Sequence, residues 1–374
     1  MSAAPAQRRV RVVQVVNSLA PAGAERVTVE LARRLDPDRF DVHVLVVRDG
    51  PLRAELQAAG VAVSVTGGEF DLRAPAVVAR MHAQMRSFRP DIVHTHLIGA
   101  DVVGRTAALL AGVPVIVSTQ HDVYERPGVL AAFRRLSARR VSAVAAVSDA
   151  VVPYCLERLH MPAERVVVIP NGVDVDRVRC ERAPTQGFAF GALGSLVPAK
   201  AHDTLLRAFA RAELPASTRL RIAGEGPLRE PLTALAEELG IAPRVDLLGQ
   251  VEDVAEFFAG VDAFVHPSRE EGLPLALLEA MAAGLPVIAT RLPALSAALD
   301  DGAAGLLVPR DDPDALARAL ERVCACGPDT QRMAQTALER ACELYSVDRM
   351  VEEYAALYER LLAGVFAEAV DARD

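Results

Sequence analysis

Short β-branched runs alternate with helix-length amphipathic stretches along almost the whole chain. That repeated change of hydrophobic period marks strand followed by helix. In the first half the pattern predicts strands over 11–16, 42–47, 61–65, 91–95, 115–119, 143–147 and 166–169, with helices over 24–35, 76–88 and 149–160. A polar stretch after Arg177, holding Pro184, Thr185, Gln186 and Gly187, reads as a linker. The alternation then restarts, with strands near 188–192, 219–223, 245–248, 263–266, 287–290 and 305–308. Strand, helix, strand repeated in this way predicts an α/β protein whose parallel sheets carry helices on both faces. Two doubly wound, Rossmann-like domains are expected, over residues 1–183 and 184–344, with ligands bound beyond the carboxyl ends of the strands in a cleft between them.

Composition narrows the class. Of 374 residues 51% are hydrophobic and 24% charged, enough for a sizeable core and against disorder. No apolar run reaches the roughly 20 residues that span a bilayer. The stretch Met1–Arg11 lacks an apolar segment of the signal-peptide kind. The five cysteines, at 155, 180, 324, 326 and 342, suit reduced thiols of a cytoplasmic protein better than a disulfide or zinc framework. The net charge of −8 argues against nucleic-acid binding, although residues 1–180 carry +5 and residues 181–374 carry −13. Among 41 basic residues only Lys200 is a lysine. A GC-rich genome accounts for the arginines; a lysine kept among them suggests a site for a compact ammonium, where a guanidinium would not substitute.

Lys200 lies in Gly194-Ser195-Leu196-Val197-Pro198-Ala199-Lys200, between a strand and a helix, where a cation can meet a phosphate. The next strand ends in Gly224-Glu225-Gly226-Pro227-Leu228-Arg229. With Arg229 at its third position this is not the dinucleotide fingerprint, and the glycines read as a tight turn. The densest signal is the run from Val265 to Met281. It holds a strand end at His266, a loop with Glu271 and Gly272, and a helix start at Leu273-Pro274-Leu275 with Glu279 beyond it. The free amides of that helix start offer an anion site, and the two acids suit neighbouring hydroxyls. Either glutamate could equally be capping or solvated charge. In the first half, Pro21-Ala22-Gly23-Ala24-Glu25 follows the first strand, His94-Thr95-His96 ends one strand and Ser118-Thr119-Gln120-His121 another. The HxH spacing alone suggests metal, but no third ligand has matching spacing. Ser148 is placed as a helix N-cap.

Together these segments resemble the retaining glycosyltransferases of family 4. The resemblance rests on Glu271…Glu279 as an E-x7-E motif, Ile169-Pro170-Asn171-Gly172-Val173-Asp174, Gly224-Glu225-Gly226-Pro227, Pro267-Ser268 and the stretch from Ala282 to Thr290, and it runs from about Val10 to beyond Leu320. It implies the GT-B architecture, a helix at about 345–365 returning to the first domain, an acceptor-binding first domain and a donor-binding second. It implies a bacterial, hexosyltransferase-like enzyme of glycan or polysaccharide biosynthesis. A sugar would pass from a nucleoside-diphosphate sugar, by default a UDP-sugar, to a hydroxyl on a glycan or lipid-linked glycan, by front-face substitution and without cofactor or metal. Lys200 and the amides around Gly272, Leu273, Pro274 and Leu275 would hold the diphosphate, with Gly23, Ser195, Gly224 and Gly226 lining the donor. Glu279 would hold the ribose, Glu271 the sugar hydroxyls, and His121 would lie beside the transferred sugar. His94, His96 and Ser148 would stand on the acceptor side.

Departures from the pattern keep other readings open. Ser195 stands where a second cation is common, Ala201 where glycine is usual, Ala22 replaces one glycine of the first loop, and 291–297 lacks the usual glycine pair. A catalytically degenerate assembly subunit, or a GT-B sugar-nucleotide hydrolase or epimerase, are the alternatives. Residues 129–141, with Leu130, Phe133, Leu136 and four arginines, read as a basic amphipathic helix able to lie on the cytoplasmic face of an anionic membrane.

Overall fold

A computed structural model describes residues 8–68, 75–123, 129–179 and 187–371. The chain divides into two compact units, 1–171 with 347–374, and 172–346.

The first unit holds a seven-stranded sheet: β1 (Val10–Ser18), β2 (Phe40–Arg48), β3 (Ala62–Val65), β4 (Ile92–His96), β5 (Val115–Gln120), β6 (Ala143–Ala146) and β7 (Val166–Val168). The order is β3-β2-β1-β4-β5-β6-β7 and every pairing is parallel. Residues of both parities are buried in β4 and β5, as expected of strands covered on both faces. The second unit holds β8 (Ala189–Leu193), β9 (Arg219–Ala223), β10 (Val245–Gly249), β11 (Ala263–His266), β12 (Val287–Thr290) and β13 (Leu306–Val308), ordered β10-β9-β8-β11-β12-β13 and again all parallel. Its core joins Phe190, Leu205, Phe209, Ile222, Val265 and Leu320 across sheet and helices. The strand order reverses between β1 and β4 in one sheet and between β8 and β11 in the other. At such a reversal the following loops diverge and leave a crevice.

All thirteen strands fall within a residue or two of the hydrophobic pattern. One helical expectation changes. Over 149–160 the chain forms a 3-10 turn, Asp149–Val151, and then a π-helical turn, Tyr154–Arg158, because Pro153 interrupts the run of amide donors. Near the end two helices follow one another, Pro328–Leu344 and Val347–Asp371, the second where a helix at about 345–365 is expected, with a break between them. The break has a cause. Val173 N–H donates to the Tyr345 carbonyl at 2.8 Å, and Val173 bridges to Ser346 in a short parallel pairing that a continuous helix could not accept. The polar stretch marked as a linker lies mostly outside the described residues, and the boundary between the units falls earlier, after Asn171.

The helix Val347–Asp371 belongs to the first unit, where Tyr354 and Tyr358 are fully buried. The Tyr354 hydroxyl pairs with Thr119 Oγ1 at 2.8 Å, and Tyr358 Oη accepts from Gln14 Nε2 at 3.0 Å and lies 2.6 Å from His94 Nδ1. Each buried polar group left unpaired costs about 1–3 kcal/mol. Removing the helix would strand two of them, Gln14 Nε2 and His94 Nδ1, and would lose the packing of Met350 and Leu357, against a typical total stability of about 5–15 kcal/mol. A chain ending at Ser346 is therefore expected to lose the cooperative unfolding transition of the first unit; a melt identical to the full-length protein would contradict this.

Candidate active site

The second sheet brings two loops together at its reversal. After β8 the chain passes Gly194 and exposed Ser195, forms the 3-10 turn Pro198–Lys200 and enters the helix His202–Arg211 through Ala201. Ala201 is left-handed, φ 50°, which explains why glycine suits this position. After β11, whose last residue is His266, the loop 267–274 leads to the helix Leu275–Ala282. Lys200 Nζ donates to Glu271 Oε1 at 2.5 Å, and His266 Nε2 lies 2.8 Å from the same oxygen. Ser268 Oγ is 3.2 Å from His266 Nε2. The carboxylate is almost enclosed, 9% exposed, while Lys200 keeps 26%. Burial pushes the Glu271 pKa up. The hydrogen bond and charge of His266, then those of Lys200, outweigh it and bring the pKa down to about 2.

Arg269 fastens one loop to the other. Its backbone N–H donates to Ala199 O at 2.7 Å and its guanidinium to Pro198 O at 2.5 Å. The same guanidinium reaches both oxygens of Asp203, at 3.1 and 3.0 Å, and Asp311 at 2.6 Å. The Lys200 turn is thus held by the residue two places before Glu271.

Gly224 and Gly226 have a packing role here. Both have positive φ, 144° and 159°, and a Cβ would come within 1.9 Å of Gly194 O or 2.5 Å of Leu196 O. The loop after β9 lies directly on the loop after β8, sealed by Leu196 N–H to Glu225 O at 2.9 Å. Gly272 and Leu273 are buried, Pro274 is the N-cap, and Glu279 is half-buried in the helix that follows.

The first sheet gathers a second set of side chains at its own reversal. His121 follows β5, His96 ends β4 and Gln14 lies in β1. His96 Nδ1 is 3.2 Å from His121 Nε2, and His96 Nε2 is 2.9 Å from Gln14 Oε1. His94 Nε2 lies 2.7 Å from Thr119 Oγ1. Burial pushes the pKa values of His94 and His96 well below the ordinary range, and that of His121 down to about 4. All three are therefore neutral at neutral pH. Both His94 and His96 are fully buried and every ring nitrogen has a partner inside the unit, His96 meeting His121 and His94 meeting Tyr358 and Thr119. Ser148 stands at an N-cap position but makes no side-chain cap bond. Gly23 opens the helix Gly23–Arg34 with free space around its Cβ direction, so nothing within the unit demands glycine there.

A buried ion cluster anchors the end of β5. Asp101 Oδ2 lies 2.9 Å from Arg105 and 2.9 Å from Arg134, while Thr95 Oγ1 donates to Asp101 Oδ1 at 2.6 Å. Arg134 also donates to Tyr154 Oη at 3.0 Å and to Gln120 Oε1.

Two family models match this chain: glycosyltransferase family 4 over residues 21–177 and glycosyl transferases group 1 over residues 187–325. A D-inositol 3-phosphate glycosyltransferase of Salinispora tropica is 31% identical over 86% of this chain and 73% of its own. The chain belongs to glycosyltransferase family 4. An Escherichia coli relative, a UDP-Gal:α-D-GlcNAc-diphosphoundecaprenol α-1,3-galactosyltransferase, is 26% identical over 81% of this chain and 84% of its own. The structure of Anabaena HepE in complex with UDP and glucose superposes with a TM-score of 0.85 at 22% identity, over 94% of this chain and all of that one, and shares the GT-B fold.

Several supports of this glycosyltransferase escaped sequence reading. Gln14, Tyr358 and Arg269 act through partners far away in sequence, while His266, seen in the sequence only as a strand end, pairs with Glu271 five residues on. His202, buried with neither ring nitrogen in a full hydrogen bond though close to the Gly194 backbone, is another.

The carboxylate of Glu271 makes a pH prediction. Its folded pKa, about 2, lies below the ordinary 4.5, so its contribution is fully present above pH 4.5 and disappears as pH falls toward 2. The shift corresponds to on the order of 3 kcal/mol. In urea melts the stability gap between wild type and Glu271→Gln should narrow steadily from pH 5 to pH 2; a gap independent of pH would contradict the pairing.

Proposed function

We propose that this glycosyltransferase moves a sugar, with retention, from a UDP-sugar to a hydroxyl of a glycan or lipid-linked glycan. The observation that carries the donor half is the Lys200–Glu271–His266 cluster at the reversal of the second sheet. Lys200 keeps donors beyond the one given to Glu271, and a donor diphosphate would take them. The N–H groups opening the helix Leu275–Ala282 would face the same anion, and helix-start dipoles favour it. Glu271, fixed as an anion by its partners, would accept from hydroxyls of the transferred sugar, and Glu279 from the ribose. UDP is named in the donor of the Escherichia coli relative and in the HepE complex, which supports the choice of nucleotide. As the sugar departs, charge grows on the diphosphate, and preorganised donors are worth most at that point. The β-phosphate oxygen would take the acceptor proton on the same face. His121 would lie beside the sugar, and the first unit would take the acceptor.

Contact with a membrane surface is a narrower proposal than the basic helix suggested. Arg134 is buried in the Asp101 cluster and unavailable to lipid, and the side chains of 129–133 lie outside the described residues. What remains is Leu136, 64% exposed, with exposed Arg139 and Arg140, beside the helix Leu97–Ala111, whose Leu110 is 65% exposed. Apolar side chains flanked by arginines suit an anionic headgroup layer. Co-sedimentation with vesicles should require anionic lipid and should fall several-fold in Arg139→Glu/Arg140→Glu; equal binding to neutral vesicles would sink the idea.

The donor reading is tested at Lys200. Lys200→Ala should cut kcat/KM by about 100-fold or more, the scale of one lost preorganised donor. Lys200→Arg should restore only part, because a planar fork needs room that the ammonium does not. Ser195→Arg, at an exposed position, should be tolerated or should tighten donor binding. Wild-type kinetics in the alanine variant would remove the diphosphate assignment. Turnover that needs an added acceptor would separate transfer from hydrolysis or epimerisation.

A further inference from the structure

We propose that Gln14, His96 and Tyr358 are positioning residues that hold the His121 ring as its Nε2–H tautomer, leaving Nδ1 as a fixed acceptor for a hydroxyl of the transferred sugar. The inference rests on reading His121 as lying beside that sugar.

A neutral imidazole has one donor nitrogen and one acceptor, and the bond made by one decides the role of the other. Gln14 Nε2 donates to Tyr358 Oη at 3.0 Å, which leaves Gln14 Oε1 facing His96 Nε2 at 2.9 Å. An amide oxygen only accepts, so the His96 proton is on Nε2. His96 Nδ1 is then a lone pair, and His121 Nε2, 3.2 Å away, must donate to it. Among the described residues His121 Nδ1 has no hydrogen-bond partner, and His121 is partly exposed. The other branch runs in the same sense. Tyr358, having accepted from Gln14, has its own proton available for His94 Nδ1 at 2.6 Å, and His94 Nε2 would then donate to Thr119 Oγ1 at 2.7 Å. Burial keeps these rings neutral, so each carries a single proton, and with the Gln14 amide set in this way the roles of His96 and His121 follow.

The chemical consequence is selective. A lone pair at Nδ1 attracts a hydroxyl and repels a phosphate oxygen, so it would turn the polyol edge of the donor toward His121. Reversing the roles would require the Gln14 amide to turn over. The Tyr358 hydroxyl, supplied by the helix Val347–Asp371, is what holds that amide in place.

Full-length protein labelled with 15N-histidine tests this by long-range 1H–15N correlation at pH 7, with the His121 signals assigned by their loss in His121→Gln. Wild type should show Nε2 protonated and Nδ1 bare. In Tyr358→Phe the amide loses its partner, and His121 should populate both tautomers, with kcat lower by about tenfold, the worth of one modest hydrogen bond, and KM within about twofold. Tyr354→Phe removes an equally buried hydroxyl of the same helix but leaves Gln14 paired, and should keep both the wild-type tautomer and the wild-type kcat. A proton on Nδ1, or on both nitrogens, in wild type overturns the proposal, as does a tautomer unmoved in Tyr358→Phe. A tautomer that shifts while kcat stays at wild type leaves the relay standing and overturns the placement of His121 beside the sugar.

Discussion

A carboxylate almost closed off from water must be paired, and in the second unit Glu271 meets that constraint with two partners on one oxygen. Much of the local structure follows. Lys200 must be brought from the loop after β8, so the turn at 198–200 is tight and Ala201 is forced left-handed. His266 must end β11 with its ring turned toward the loop. Arg269 then closes the assembly by holding both the Lys200 turn and the helix behind it. The glycines after β9 let a third loop press against the first, where any Cβ would collide with backbone oxygen. Removing either partner would leave the enclosed carboxylate with only one of the two groups that meet its Oε1.

The first unit solves a similar problem with opposite electrostatics. Its strand ends at the reversal carry three imidazoles, an amide and, from the last helix, two phenols, all neutral and joined by hydrogen bonds, with His121 Nδ1 left open. Charge is present in the Asp101–Arg105–Arg134 cluster, which fixes the end of β5, and the charge of Asp101 acts on His121 against the larger effect of burial. A neutral, directional surface suits polyols, whereas the charged loop of the second unit suits a diphosphate.

What was legible in the chain divides along physical lines. Strands showed because a sheet buried on both faces demands short runs of valine, isoleucine and alanine, a local property. Lys200 and Glu271 showed because loop and helix-start chemistry is also local. Gln14 and Tyr358 are 344 residues apart and meet only through tertiary packing. A tyrosine at helical spacing reads as core, which Tyr358 is, and nothing in the pattern reveals that its hydroxyl steers a distant amide. Arg134 misled for the same reason: on a helix rich in arginine, the one that turns inward to Asp101 looks like its solvated neighbours. The helix break at Tyr345 likewise depends on Val173, which no window around residue 345 contains.

The single lysine takes on a sharper meaning in this setting. Its stem runs beside Gly194, 3.7 Å from where a Cβ would stand, and its ammonium reaches a carboxylate at 2.5 Å while staying partly open. A guanidinium carried on the same turn would have to fit a planar fork between Gly194 and Glu271, and it would present its donors in fixed directions. An ammonium has three rotatable donors and can keep Glu271 while turning others outward. In a chain that uses arginine everywhere else, a lysine here suits the proposed double role of a cation that serves two anions at once, the resident Glu271 and an arriving diphosphate. That double duty also means that loss of Lys200 acts in two ways. It would take a cation from the proposed donor site, and it would take from Glu271 one of the two partners that hold its pKa down against burial.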